Sequence, residues 1–84
     1  MKKFLTTFEF HCGGYSQVVY NTVEANDLEE AESIFRDYLS NYYGKDNLDS
    51  VEGDLYTYHI GEVMAEFCGV REMSGEEIIE AIKI

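Results

Sequence analysis

The stretch Lys2-Lys3-Phe4-Leu5-Thr6-Thr7-Phe8-Glu9-Phe10-His11-Cys12 alternates so that Phe4, Thr6, Phe8 and Phe10 lie on one side and Lys3, Thr7, Glu9 and His11 on the other. A period of two is the pattern of a half-buried β-strand. Gly13-Gly14 follows, a pair that accepts positive φ, and residues 17–25 are rich in Val, Tyr and Thr. Together they predict a β-hairpin.

Beyond the hairpin, Asn26-Asp27-Leu28-Glu29-Glu30 has the form of a helix start. Asp27 can cap orphan backbone N–H groups, and Glu30 sits at the capping-box position. Leu28, Ala31, Phe35, Tyr38, Leu39 and Tyr42 then recur at spacings of three and four, which predicts an amphipathic helix of about four turns. Gly44 is placed to end it as a left-handed cap. Residues 45–54 are polar with Leu48 and Val51 isolated among them, as in a connecting loop with room for one short helical turn.

A second hairpin is expected over residues 55–60 and 62–73, turning near Gly61. Val63, Ala65 and Phe67 would face inward, Glu62, Glu66 and Glu72 outward, and Gly69 would mark a bulge. Ser74-Gly75-Glu76-Glu77 forms a capping box, with Ile78, Ile79 and Ile82 as one side of a terminal helix. The order β-β-α-β-β-α predicts an α+β fold, a four-stranded antiparallel sheet with helices packed on one face. The opposite face would keep Leu5, Val18, Tyr20, Met64, Cys68 and Val70, a candidate homodimer surface.

The chain has 84 residues, enough for one hydrophobic core, and a domain of this size buries only about 60% of the surface its unfolded chain exposes. One domain over residues 1–84 is the expectation. Its 45% apolar content, with five Phe and seven Tyr, lies outside the composition of disordered chains. No apolar run approaches the roughly 20 residues that span a bilayer, so no membrane partner is expected. Two cysteines without the density of a secreted scaffold point to a reducing, cytoplasmic setting.

Seventeen Asp and Glu against six Lys and Arg leave a formal charge of −11. Direct nucleic-acid binding needs a basic patch that releases counterions, and the six cations here are scattered. Anionic membranes are disfavoured on the same ground. His11, Cys12, His59 and Cys68 have neither zinc-finger spacing nor a helical His pair, so no metal, cofactor or intramolecular disulfide is expected, and the thiols read as ordinary strand residues with buried sulfur as the default. Gly13-Gly14 joins two strands and does not open a helix, which argues against a phosphate cradle. With no nucleophile–base pair legible, a non-enzyme is the expectation.

The acidic residues remain. Asp27, Glu29, Glu30, Glu32 and Asp37 fall within about 15 Å of helix, roughly one charge per 3 Å, close to the 3.4 Å rise per phosphate of a DNA strand. Asp46, Asp49, Glu52 and Asp54 form a second group. Such a surface can serve solubility alone, or belong to a homo-oligomeric accessory protein that associates through its other sheet face. Displayed rigidly, it can instead mimic nucleic acid and occupy the groove of a basic nucleic-acid-binding protein. On the second reading the partner-binding residues are Glu29, Glu30, Glu32 and Asp37, with Asp46, Asp49, Glu52 and Asp54. In size and composition the chain is similar to the small acidic inhibitors that phages and mobile elements direct against host nucleases, anti-CRISPR proteins among them. Thr22-Val23-Glu24-Ala25-Asn26-Asp27-Leu28-Glu29-Glu30-Ala31 also resembles the strand-to-helix junction of small phage and antitoxin-type domains.

Overall fold

The computed structural model describes residues 1–75 and 81–84. Its elements run β1 (Lys2–Cys12), β2 (Tyr15–Ala25), α1 (Leu28–Ser40), a 3-10 turn over Lys45–Asn47, β3 (Leu48–Glu52), β4 (Leu55–Tyr58), β5 (Val63–Glu72) and β6 (Ile82–Lys83). They build one six-stranded sheet in the order β3-β4-β5-β1-β2-β6, with α1 on one face. The expected four-stranded antiparallel sheet with several helices is therefore corrected: this is a mixed α+β domain with six strands and, among the described residues, one major helix.

Two strands account for the difference. β3 occupies the stretch expected to be a loop. Apart from half-buried Leu48 its side chains are exposed, and it is a strand because its backbone pairs with β4, Glu52 opposite Leu55 across a Gly53-Asp54 turn in which Gly53 takes φ +62°. β6 lies parallel to β2, pairing Asn21 with Ile82 and Thr22 with Lys83. The Asn21 side chain donates to the Ile82 carbonyl at 3.2 Å, and the Ile84 N–H donates to the Thr22 carbonyl at 2.9 Å. Ile82, expected on a terminal helix, is thus in a strand and largely exposed. Ile78, Ile79 and the Glu76-Glu77 half of the expected capping box lie outside the described residues.

The predicted hairpins form. Cys12 pairs with Tyr15 across Gly13-Gly14, with Gly13 at φ +60°, the left-handed value that favours glycine in this tight turn. β1 is the middle of the sheet, flanked by β2 and β5. Phe4, Thr6 and Phe8 are buried toward α1, as the alternation requires. Between Thr7 and Phe8 the register with β5 shifts: Phe8 faces Phe67, Thr7 faces Gly69, and Cys68 is the extra residue. That bulge moves the alternation of β5 by one, so Val70 comes opposite Thr6 and packs on the helix side. Val70 is therefore removed from the open face to which simple alternation assigned it.

α1 starts as expected. Asp27 accepts from the Glu30 N–H at 2.8 Å, and Glu30 reaches back to the Asn26 N–H and side-chain amide at 3.3 Å each. The helix ends at Ser40 with Asn41 as its cap, short of Gly44, which at φ +86° instead precedes the 3-10 turn. Ala31, Phe35 and Leu39 are the fully buried stripe, whereas Leu28, counted on that stripe from spacing, is 51% exposed.

Two clusters fill the space under the helix. Phe4, Val23, Ala25 and Ala31 pack near its start, and Phe8, Phe35, Leu39, Tyr56, Tyr58 and Ala65 pack along the rest, with Ile84 touching both. The second cluster is aromatic: the Phe35 ring lies 5.9 Å from Phe8 and 5.5 Å from Phe67, within the range where ring pairs add to plain burial.

Arg36 ties the helix to the far edge of the sheet. Its guanidinium meets Asp54 at 2.9 Å and Glu32 at 3.2 Å, donates to the Tyr56 hydroxyl at 3.3 Å, and lies 4.3 Å from the centre of the Phe67 ring. The bond to Asp54, then that to Tyr56, holds it charged still more firmly than an ordinary arginine. Arg36→Met keeps the aliphatic stem and removes these contacts. Partly exposed ion pairs and a cation–π contact are each modest, so the expected loss is about 1 kcal/mol in urea unfolding. An unchanged midpoint would show that the clamp contributes nothing.

Candidate functional site

The eight carboxylates expected to bind a partner divide into two sets. Glu30 is engaged in the helix cap, Glu32 and Asp54 flank Arg36, and Asp49 accepts from the Gly61 N–H at 3.2 Å. These four shape the fold. Glu29, Asp37, Asp46 and Glu52 are exposed, and among the described residues their carboxylates make no hydrogen bond or ion pair.

Nor do the eight lie along one line. A helix turns its side chains by 100° per residue, so even spacing in sequence spreads them around the axis. Glu32 points with Arg36 toward β4, while Asp37 lines a shallow groove with Ile34, Tyr38, Asn41, Tyr42 and Ile84 on the β2 and β6 side. The structure brings Glu32 and Asp54 together around one guanidinium. It places Asp46 and Asp49 in a separate cleft with Asn47, His59, Ile60 and Glu62.

That cleft is built on an unusual turn. His59, Ile60 and Gly61 have φ of +52°, +56° and +82° in succession, left-handed values that β-branched isoleucine rarely adopts. Gly61 N–H bonds to the Tyr58 carbonyl and the Asp49 carboxylate, and His59 N–H to the Asn47 carbonyl, so the β4–β5 turn is held against the 3-10 turn. Ile60 at its tip is 93% exposed.

The sheet face away from α1 carries the other constellation. Glu9 and His11 stand two apart on β1, and the register puts Glu66 of β5 directly across from Glu9. One donor atom from each of the three residues falls within 4.8 Å of the others, and His11 Nε2 lies 3.5 Å from Glu9 Oε1. The Cys68 thiol is close by, donating to the Glu66 carbonyl at 3.5 Å. Burial, then the charges of Glu66 and Glu9, push that thiol above the usual range. Both cysteines are free and exposed, which corrects the expectation of buried sulfur.

Sequence reasoning missed this triad because spacing rules search along one chain segment, whereas these donors meet across two strands. The signal was Glu9-Phe10-His11, which a strand places on one face, beside an outward Glu66 on a strand of then unknown register. Val18 and Tyr20, each 49% exposed, share this face with Glu9, Glu66 and Arg71, so its apolar residues are interrupted by charge. No helix among the described residues is long and apolar enough to cross a membrane. Compared with known proteins, this chain is matched by no family model, no curated sequence and no solved structure.

Proposed function

We propose that the protein is a non-catalytic binding module that offers fixed carboxylates to a basic nucleic-acid-handling protein and so competes with nucleic acid for its groove. The observation that supports this is the set Glu29, Asp37, Asp46 and Glu52: exposed, unpaired among the described residues, and carried on helix, turn and hairpin backbone. With a net charge of −11 the surrounding field draws in a cationic partner and repels nucleic acid. Glu30, Glu32, Asp49 and Asp54 hold these elements in place.

The test immobilises the protein, exposes it to a lysate of its host, and challenges the captured proteins with short duplex DNA and with salt. Nucleic-acid-binding proteins should be retained at low salt and released by the duplex. Capture should also fall as ionic strength shortens the Debye length toward about 8 Å. The variant Glu29→Gln, Asp37→Asn, Asp46→Asn, Glu52→Gln removes four charges without touching the cap or the Arg36 clamp, and should capture little. Capture indifferent to the duplex and to the four substitutions would end this reading.

A further inference from the structure

Glu9, His11 and Glu66 lie outside the carboxylate set just described, on the opposite face of the sheet from α1. Two carboxylates directly opposed on neighbouring strands repel one another, an arrangement that destabilises a bare sheet. A cation between them would turn the repulsion into attraction. The strands that carry them, β1 and β5, are the two central ones, so the backbone beneath the donors is held on both sides.

We propose that Glu9, His11 and Glu66 bind a divalent first-row transition-metal cation of the zinc type, through one imidazole nitrogen and two carboxylate oxygens. Around tetrahedral zinc, with bonds of about 2.0 to 2.1 Å, neighbouring donors lie roughly 3.3 Å apart. The 3.5 Å between His11 Nε2 and Glu9 Oε1 already has nearly this value, and Glu66, within 4.8 Å, closes the remainder by side-chain rotation. An imidazole among the donors favours zinc and its neighbours over calcium and magnesium, which prefer oxygen alone. Three protein ligands leave a coordination position for water or for a partner's side chain.

The experiment is a titration of metal-free protein with zinc chloride, followed through the imidazole resonances of its two histidines. His11 should shift saturably at one equivalent while His59, on the far turn, stays still. Glu66→Gln should weaken binding roughly tenfold or more, by analogy with losses on disturbing other metal sites. His11→Gln should remove it. Glu72→Gln, an equal loss of charge elsewhere, is the control and should leave affinity nearly unchanged. Equal weakening by Glu66→Gln and Glu72→Gln, saturation at His59 in place of His11, or no saturable shift would each overturn the assignment. Because Glu29, Asp37, Asp46 and Glu52 play no part, this outcome is separable from that of the partner capture.

Discussion

Phe35→Ala is expected to lower the unfolding free energy by about 3 to 5 kcal/mol, the usual cost of emptying a buried aromatic site. Phe35 has no solvent exposure, sits in the middle of α1, and meets Phe8, Phe67 and Tyr38 through its ring. The pocket cannot easily collapse around an alanine because Phe8 and Phe67 in its wall are strand residues fixed by the sheet. At roughly 0.05 to 0.15 kcal/mol per residue, a domain of this size has little more than that to lose. Urea denaturation beside Ser33→Ala, an exposed site on the same helix, isolates the core effect from helix propensity. A Phe35→Ala midpoint equal to that of Ser33→Ala would mean that the aromatic cluster does not hold the fold.

The second large effect is alkaline. Tyr58 is fully buried and its hydroxyl donates to the Leu39 carbonyl near the end of α1. Burial, reinforced by the surrounding tyrosines, pushes its ionisation well above the ordinary value near 10. Above that value the unfolded chain releases the proton and the folded chain does not, so stability present below pH 10 is lost as pH rises toward the folded pKa. The slope for one such group is about 1.4 kcal/mol per pH unit. Tyr58→Phe gives up a single hydrogen bond, about 1 kcal/mol at neutral pH, since the Leu39 carbonyl still accepts from the Tyr42 N–H. It also removes the alkaline penalty. The two stability curves should therefore cross near pH 11, the phenylalanine variant being the more stable beyond it. Parallel curves up to pH 12 would show that the hydroxyl is not held neutral by the fold.

What could be read from the sequence is what depends on local periodicity. The alternation from Phe4 to Phe10, the Gly13-Gly14 turn, the Asp27 and Glu30 cap and the stripe through Ala31, Phe35 and Leu39 each encode their element within a dozen residues. β3 escaped because four of its five side chains are exposed, so no burial pattern marks it and only the backbone ladder to β4 makes it a strand. β6 escaped because two residues carry no period, and its partners Asn21 and Thr22 lie some sixty positions away. For the site, abundance misled. Carboxylates even in sequence point around a helix in space, and several are committed to Arg36 and to the cap. Glu9 and His11 were legible as neighbours on one face. That Glu66 stands across from Glu9 depends on a pairing register that no local pattern specifies.

The extra residue at Cys68 has a consequence for how this sequence can change. The bulge divides β5 into two stretches of opposite phase, Val63 to Phe67 serving the aromatic cluster and Val70 to Glu72 serving the neighbourhood of Phe4 and Val23. Were β5 to pair regularly with Cys68 kept in the ladder, Gly69 and Arg71 would come where Val70 and Glu72 now lie, exchanging core and surface over one half of the strand; deleting Cys68 instead joins the two halves with their facing unchanged. Cys68 is therefore the one position of β5 opposite β1 whose removal keeps every other pair with β1 in register. Point substitutions on either side of it can accumulate independently, because each half answers to a different part of the core.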